Sequence, residues 1–249
     1  MTETNPFEGK VVLVVGGSRG IGAAVVRKFA GLGAHVAIGY RTRSHEAEAL
    51  VADLAAARGR TKAFMADVSQ PEAIDLMVRD AVAEFGRIDI LVNSAGINPY
   101  RPLGTIDAAF VREVLDVNVL GTILLTQAVV PYMPSPGGRI IYFASRLALS
   151  PLATTAVYAA SKAAVATLAH AFSKELGPKG ITVNAVAPGV IETDMTSAIL
   201  RERGEAIRAS TPLGRIGTPD DIAGIVTFLA SSDAGWITGR TILADGGVT

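Results

Sequence analysis

Three residues in the middle of the chain have side chains suited to proton transfer. Tyr158 and Lys162 are four positions apart, so a helix would place a phenol and an ammonium on one face. A free tyrosine titrates near pH ~10 and exchanges protons poorly at neutral pH unless a nearby cation lowers its pKa. Lys162 can be that cation, and Ser145 can hydrogen-bond the oxygen that Tyr158 protonates. An isolated Tyr-x-x-x-Lys spacing also fits an ordinary helix-surface pair, so the surrounding sequence must decide.

The elements that would position these residues alternate regularly. Seven apolar runs predict strands, at residues 11–15, 35–39, 62–66, 88–92, 139–144, 181–187 and 241–244. Their nearly continuous hydrophobicity is typical of parallel strands covered on both faces. Amphipathic stretches between them predict helices. One would begin at a capping box, Ser69 with Glu72, have Pro71 at its first helical position and end at Gly86, and another would begin at Thr218. We therefore expect one α/β domain with a doubly wound seven-stranded parallel sheet, and ligands at the carboxyl ends of its strands.

Composition narrows the classes of function. The 249 residues carry a formal charge of zero, are 49% hydrophobic and include no cysteine, which excludes disulfides and thiolate catalysis. No basic cluster suits nucleic acid, and three histidines without clustered carboxylates predict no metal site. The polar, acidic N-terminus predicts no signal peptide, and the interrupted apolar stretch 119–130 is too short to span a bilayer. We expect a soluble cytoplasmic protein whose partners are small molecules or copies of itself.

A glycine-rich turn follows the first predicted strand. Residues 16–22 read Gly-Gly-Ser-Arg-Gly-Ile-Gly and lead into an apolar helix, a pattern that lets the backbone approach a pyrophosphate at a helix N-terminus. We expect dinucleotide binding here. Residues 16–20 also satisfy G-x-S-x-G, so a serine hydrolase built on Ser18 is an alternative. That alternative needs a histidine late in the chain, and His170, inside the apolar run 166–172, is more typical of a packed core or interface residue.

The charge at the end of the second strand bears on the choice of dinucleotide. NAD-preferring sites place an acid there to bind the ribose 2′-hydroxyl, and that acid repels a 2′-phosphate. This sequence has Tyr40 and Arg41 instead, with Arg19 in the glycine turn and Arg43 nearby. Two or three guanidiniums can converge on a phosphate, which predicts NADPH and the reductive direction. A solvated loop with no such role is the alternative.

Several motifs together resemble the short-chain dehydrogenase/reductase family over essentially the whole chain. They are the glycine turn, Asn93-Ser-Ala-Gly96, Asn118, Ser145, Tyr158-x3-Lys162 and Pro188-Gly189-x3-Thr193, in the family's order and spacing. The resemblance implies that Tyr158 is the general acid/base, Lys162 holds the nicotinamide ribose, Ser145 polarises the substrate carbonyl and Asn118 keeps a water in a proton relay. It also implies an adenine contact at Asp67 and a clamp on the carboxamide after Pro188. The predicted cofactor-binding residues are Gly16, Ser18, Arg19, Gly20, Ile21, Gly22, Tyr40, Arg41, Asp67, Val68, Asn93, Ala95, Gly96, Tyr158, Lys162, Pro188, Gly189, Ile191 and Thr193.

Substrate recognition is where the sequence departs from its relatives. Arg146 follows the catalytic serine where many relatives have a small or aliphatic residue, so we hypothesise that Arg146, with Tyr100 or Arg101, favours a carboxylate or other polar group. An outward-facing or structural arginine is an equal alternative. A lid at about residues 190–215, including Met195, predicts a partly apolar substrate.

The general resemblance is to 3-oxoacyl-[acyl-carrier-protein] reductases, which dock an acidic carrier through basic residues near two helix ends. Lys179 could serve, yet residues 134–138 offer no cation, so the sequence favours a free ketone or aldehyde over acyl carrier protein. An NAD-linked alcohol or sugar dehydrogenase is the alternative within the enzyme class. A nucleotide-binding regulator without chemistry is a further alternative, disfavoured by the intact site residues. The resemblance also implies a homotetramer or dimer.

Overall fold

The fold is built on one seven-stranded parallel sheet with strand order 3-2-1-4-5-6-7. The computed structural model describes residues 5–249, so the first four residues of the polar N-terminus lie outside it. The strands are β1 (Val11–Val15), β2 (His35–Tyr40), β3 (Thr61–Met65), β4 (Ile90–Asn93), β5 (Arg139–Phe143), β6 (Thr182–Pro188) and β7 (Thr241–Ala244). The predicted doubly wound sheet is therefore confirmed, with individual strand ends displaced by one or two residues.

Eight α-helices connect and cover the strands in the described part of the chain. They are α1 (Gly20–Gly31), α2 (Ser44–Asp53), α3 (Pro71–Phe85), α4 (Ala108–Leu115), α5 (Gly121–Val129), α6 (Ala156–Leu176), α7 (Ser197–Ser210) and α8 (Pro219–Ala230). A π-helical turn, Asp116–Leu120, joins α4 to α5. All strand pairings are parallel, so every strand ends at the same edge of the sheet.

Alternate residues of the strands enter two separate hydrophobic cores. In β1, Leu13 and Val15 pack on the face covered by α3, α5 and α6, whereas Val12 and Val14 pack on the face covered by α1, α2 and α8. Successive side chains of a strand point to opposite faces, so a strand covered on both faces needs apolar residues at every position. This is why the central strands are continuous apolar runs.

Helix boundaries confirm some of the predicted signals and correct one. Thr218 and Asp221 form a complete capping box on α8, and Gly86 ends α3 with a left-handed φ of 87°. The capping box predicted at Ser69 is wrong: Gln70 is the N-cap of α3 and makes no side-chain cap. Ser69 instead donates its hydroxyl to Asp67 at 2.7 Å, because the turn after β3 has folded back on that carboxylate.

The apolar stretch predicted as too short for a bilayer belongs to a longer helical segment. Residues Ala108–Tyr132 form the one helical segment of residues 5–249 that is long and apolar enough to cross a membrane by length and composition. Val117, Leu125 and Val129 from this segment are buried in the core beneath the sheet. A core helix of a soluble protein passes the same test, and the packing of these residues fits that description.

Candidate active site

A deep cleft runs along the carboxyl edge of the sheet, where a doubly wound fold places its ligands. Its volume is about 620 Å³, and it is bounded by the glycine turn, the ends of β2 to β6 and helix α7. Of the predicted catalytic, cofactor and substrate residues, all except Asn93 and Asn118 line it. Helix α7 contributes Ile199, Arg203, Ala206, Ile207 and Ser210 to the lining, all within the range 190–215 that the sequence predicts as a lid.

The predicted proton-transfer residues converge in this cleft. Tyr158 and Lys162 lie on one face of α6, as their spacing predicts, and Ser145 lies directly after β5. All three side chains are buried and line the cavity. The Ser145 hydroxyl accepts a hydrogen bond from the Leu147 backbone at 3.2 Å and is close enough to the Tyr158 hydroxyl to act against the rise of its pKa. Two hydroxyl groups therefore share one end of the cleft, as recognition of a single substrate oxygen requires.

The protonation of Tyr158 corrects one expectation. Burial raises the pKa of Tyr158 to about 12, the hydrogen bond with Ser145 opposes this shift, and Tyr100 adds to it. The Lys162 ammonium lies 5.9 Å from the Tyr158 ring centroid, and burial prevails over any lowering of the pKa by this charge. Tyr158 is therefore protonated at neutral pH and disposed to act as a proton donor.

Lys162 is fixed by the end of the neighbouring strand. Its Nζ donates a hydrogen bond to the Phe143 carbonyl oxygen at 2.7 Å, and burial lowers the pKa of Lys162 to about 8. At neutral pH the side chain is still mostly charged. A Cβ added to Gly96 would lie 3.2 Å from Nζ, so the glycine leaves room for the ammonium at the cavity wall.

Asn118 lies behind the cavity wall in the π-helical turn between α4 and α5. Its Oδ1 accepts from the Ile97 backbone at 2.9 Å, and its Nδ2 donates to the Ile97 carbonyl and to Ser161 Oγ, both at 3.0 Å. Ser161 donates in turn to the Tyr158 carbonyl at 2.7 Å. The Asn118 side chain therefore ties the loop after β4 to the helix that carries Tyr158. Its implied role in holding a water stays a prediction.

Sequence reasoning missed Ser161 and Thr122 as members of this buried network. Thr122 Oγ1 donates to the Asn118 carbonyl at 2.8 Å and accepts from Asn93 Nδ2 at 2.9 Å. Asn93 thus positions the loop that follows β4 and does not line the cleft itself. Neither Ser161 nor Thr122 has a chemical signature in the sequence, since buried hydroxyls at helix positions usually bond the preceding turn.

The glycine turn has the features needed to hold a pyrophosphate. The N-terminus of α1 has no side-chain cap and no acidic residue in its first turn, and Gly20, Ile21 and Gly22 of that turn line the cavity. A Cβ on Gly22 would lie 2.1 Å from the Gly16 carbonyl oxygen, so only glycine permits this tight turn. A dinucleotide diphosphate fits this uncapped helix start.

The arginines at the adenosine end of the cleft are each paired with a carboxylate of the protein. Arg41 lies 3.8 Å from Asp67, and Arg19 lies 3.3 Å from Asp194 across the cleft mouth. Burial acts to raise the pKa of Asp67, but hydrogen bonds from Ser69 and the Arg41 charge outweigh it and leave that pKa below its usual value. The expected convergence of Arg43 on the same point is not seen, because its guanidinium binds Glu46 at 2.8 Å.

The far side of the cleft contains the predicted clamp and substrate residues. Ile191 and Thr193 follow β6 as predicted, and Met195 leads into α7 with half its surface exposed. Tyr100 and Arg146 both line the cavity. Arg101 does not: it pairs with Asp107 at 2.7 Å and stacks over the Phe110 ring, which excludes it from the substrate hypothesis.

The hydrolase alternative built on Ser18 lacks a base. Ser18 lines the cleft, but none of the three histidines, all within residues 5–249, does so. His170, expected in a core or an interface, is exposed in this chain, with Nδ1 3.3 Å from the Gly239 carbonyl oxygen. A serine nucleophile needs a base within hydrogen-bond reach, so this geometry does not favour hydrolysis.

Comparison with known proteins gives full-length matches. A family model described as enoyl-(acyl carrier protein) reductase matches residues 15–249. The 3-oxoacyl-[acyl-carrier-protein] reductase FabG of Escherichia coli is 40% identical over 243 residues, covering 97% of this chain and 98% of that protein. The short-chain reductase NovJ of Streptomyces niveus is 41% identical over 255 residues, covering 99% and 96%.

Solved structures match equally closely. A blue fluorescent protein from a metagenomic library, in complex with NADPH, superposes with a TM-score of 0.93 at 39% identity, covering 98% of this chain and 99% of that one. A short chain dehydrogenase from Burkholderia cenocepacia, in complex with NADP, gives 0.92 at 38% with the same coverages. Identity at this level over the whole length, with the glycine turn and the Ser145, Tyr158 and Lys162 set in one cleft, is decisive. The chain belongs to the short-chain dehydrogenase/reductase family and is an NAD(P)-dependent oxidoreductase acting on small molecules.

Proposed function

We propose that this protein reduces a ketone or aldehyde to the alcohol with NADPH. The observation that carries the proposal is the meeting, in one cleft, of a protonated Tyr158, the neighbouring Ser145 hydroxyl and the glycine turn at the uncapped start of α1. The nicotinamide cofactor supplies a hydride when it is bound. The protein's part is to orient the carbonyl and to deliver a proton to its oxygen.

The residues divide this work in a simple way. Ser145 donates a hydrogen bond to the substrate oxygen and polarises the carbonyl, and Tyr158 then gives its phenolic proton to the same oxygen as negative charge develops there. The Lys162 ammonium, held at the cavity wall by Phe143, stabilises the phenolate left behind and would hold the nicotinamide ribose. Asn118 keeps Ile97 and Ser161 in place behind this proton path.

Carbonyl reduction suits the site better than alkene reduction. The family model that matches is described by an enoyl reductase, whose reaction places a proton on carbon. Ser145 and Tyr158 instead present two hydroxyls to one position, an arrangement that suits a substrate oxygen. Relatives named 3-oxoacyl reductases also support a carbonyl substrate.

The direct test measures cofactor use and turnover together. Thermal unfolding with NADPH or NADH shows which dinucleotide binds, since a ligand of the folded state raises Tm. Loss of NADPH absorbance with a panel of ketones, β-ketoesters and quinones then shows turnover. Preference for NADH would support the alternative, an NAD-linked alcohol or sugar dehydrogenase. Failure of both dinucleotides to bind, or of all carbonyls to react, would contradict the proposal.

The preference for NADPH gives a sharper prediction at Arg41. This guanidinium directly follows β2, whose end carries no carboxylate, and it is about half exposed beside Asp67, which follows β3. Removing a charged partner of a phosphate costs about 1.5–3 kcal/mol, so Arg41→Ala is expected to raise the Kd for NADPH roughly 10- to 150-fold by isothermal titration calorimetry. The Kd for NADH, which has no 2′-phosphate, is expected to change less than about threefold on the same reasoning.

Arg27→Ala is the matched control for that measurement. Arg27 is equally exposed, pairs with Asp53 at 2.9 Å and lies on α1 outside the cleft. Neither Kd should change in this variant. Equal losses for both dinucleotides in Arg41→Ala would mean that Arg41 does not read the 2′-phosphate.

We also propose a free ketone rather than a carrier-bound thioester as substrate. The segment before β5 offers Arg139 as its first cation, and this guanidinium turns inward to the carbonyl oxygens of Gly138 and Ser231. It is therefore not presented to an acidic carrier. Lys179 remains exposed, but one lysine makes a poor docking surface.

A cytoplasmic homotetramer is the assembly we propose, with a dimer as the smaller possibility. Trp236 is 99% exposed beside β7, and Leu115 and Leu120 are exposed on the helical segment under the sheet. Large apolar side chains left in water support burial against other copies of the chain.

A further inference from the structure

We infer that Arg146 makes the substrate end of the cleft an oxyanion subsite, so that the preferred carbonyl substrate carries a carboxylate or phosphoryl group. This inference rests on the proposed function and names the substrate class of the same site. Arg146 follows Ser145 directly and lines the cavity with a partly buried side chain. It therefore enters the cavity from the segment that carries Ser145, at the substrate end, and not from the glycine turn or β2 at the adenosine end.

Arg146 differs from the three arginines at the adenosine end of the cleft in having no carboxylate partner within residues 5–249. Arg19, Arg41 and Arg43 each have a carboxylate partner in Asp194, Asp67 and Glu46. Within residues 5–249 the Arg146 guanidinium forms no ion pair and donates no hydrogen bond to the protein. Asn98 Oδ1 is the one buried side-chain polar atom without a partner in the described residues, so the Arg146 guanidinium is open to the solvent of the cleft. A cation that lines the cleft without a protein carboxylate can pair with an anionic group of a ligand.

A second unpaired guanidinium faces the same cavity from the opposite side. Arg203 of α7 lines the cleft and likewise has no carboxylate partner within the described part of the chain. Its backbone departs from helical geometry, with φ −132° and ψ 15°, so α7 is kinked where this side chain leaves it. The carboxylates lining the cleft, Asp67 and Asp194, are both already neutralised. The net field at the substrate end is thus positive and suits an anion.

The rest of this end is apolar, which constrains the body of the substrate. Leu147 and Leu152 line it from the sheet side, and Ile199 and Ile207 line it from α7. An oxyanion on a hydrocarbon chain therefore matches the site better than a fully polar sugar. Arginine binds carboxylate and phosphate alike through two parallel hydrogen bonds, so both sources of the oxyanion belong to one chemistry.

The test compares matched substrate pairs that differ only in the anion. The NADPH-loaded protein is assayed with 4-oxononanoate against its methyl ester, and with dihydroxyacetone phosphate against dihydroxyacetone. We expect the anionic member of at least one pair to have the higher kcat/KM, by tenfold or more. The pair that shows the larger ratio identifies the source of the oxyanion.

Variants then show whether Arg146 is responsible for the preference for the anionic substrate. Arg146→Ala is expected to lower the anion-to-neutral ratio of kcat/KM about 10- to 100-fold, the range for loss of a charge-assisted hydrogen bond. Arg146→Lys keeps the charge but loses the two parallel N–H donors of the guanidinium, so its ratio should lie between those of the wild type and Arg146→Ala. Arg201→Ala, on α7 but outside the cavity, is the control and should leave the ratio unchanged. If Arg146→Ala lowers both members of each pair equally, the inference is wrong.

Binding without turnover separates this inference from the proposed function. Nonanoate and methyl nonanoate have no ketone, so their Kd values for the NADPH-loaded protein do not depend on catalysis. Tighter binding of the acid, lost in Arg146→Ala, supports the subsite even if no carbonyl is reduced. Turnover of the neutral ketones with no preference for either anion would support the proposed function and overturn this inference.

Discussion

Replacement of Tyr158 by phenylalanine is expected to lower kcat for carbonyl reduction about 10²- to 10⁴-fold, the usual loss for a general acid. Phenylalanine keeps the ring, which packs with Leu147 and Ala159, and removes only the hydroxyl that supplies the proton. Burial raises the pKa of Tyr158, so its hydroxyl is protonated at neutral pH and the substitution removes a proton donor, not a base. The measurement is the initial rate at saturating NADPH, with Tm and the Kd for NADPH in parallel.

Tyr142→Phe is the matched control for that variant. Tyr142 is equally buried, and its hydroxyl lies 2.6 Å from Thr126, but it faces the core under β5 and not the cleft. Its loss should lower stability by about 1 kcal/mol, the usual value for a hydrogen bond, and leave kcat unaltered. If Tyr158→Phe retains more than a tenth of wild-type kcat, another group donates the proton.

A second large effect is expected at Gly22 in the first turn of α1. The Cβ of Gly22→Ala would fall 2.1 Å from the Gly16 carbonyl oxygen and 2.8 Å from Ser94 Oγ, so the glycine turn must open. The backbone N–H groups that would face the pyrophosphate then lose their alignment. We expect the Kd for NADPH to rise at least about tenfold, with a lower Tm, because one or more aligned phosphate contacts are lost.

The same helix provides the control for this substitution. Gly31 ends α1, and a Cβ there would meet nothing within 4 Å. Gly31→Ala should leave NADPH binding unchanged and raise stability by up to about 1 kcal/mol, since alanine favours a helix over glycine. If both variants bind NADPH like the wild type, the turn does not form the pyrophosphate site.

Much of the fold could be predicted because its causes are local in sequence. Continuous apolar strands separated by amphipathic helices have few ways to bury both faces of a sheet, and a parallel sheet is the common one. The site residues could be placed for the same reason, since Asn93 ends β4 and Ser145 lies two residues after the neighbouring strand β5. Tyr158 and Lys162 are four residues apart, so any helix at this point places them on the same face.

Other features depend on contacts that the sequence does not reveal. The π-helical turn at Asn118 leaves no mark in the hydrophobic pattern, because one extra residue per turn changes the phase only beyond it. The pKa of Tyr158 is raised rather than lowered because burial outweighs the charge of Lys162, whose ammonium is held by the Phe143 carbonyl. Arg43 was expected to face the phosphate, yet a glutamate one turn away captures it. In each case the competing partner is close in space but is not implied by any motif.

The ion pair between Arg19 and Asp194 bears on how fast the coenzyme enters and leaves the cleft. It bridges the two banks of the cleft at 3.3 Å, and both side chains are about half or more exposed to water. Such a pair contributes little to stability and is weakened by dissolved ions. The bridge can therefore open and re-form at small cost, so we expect release of the oxidised dinucleotide to become faster as ionic strength rises, while the buried groups beneath it are unaffected.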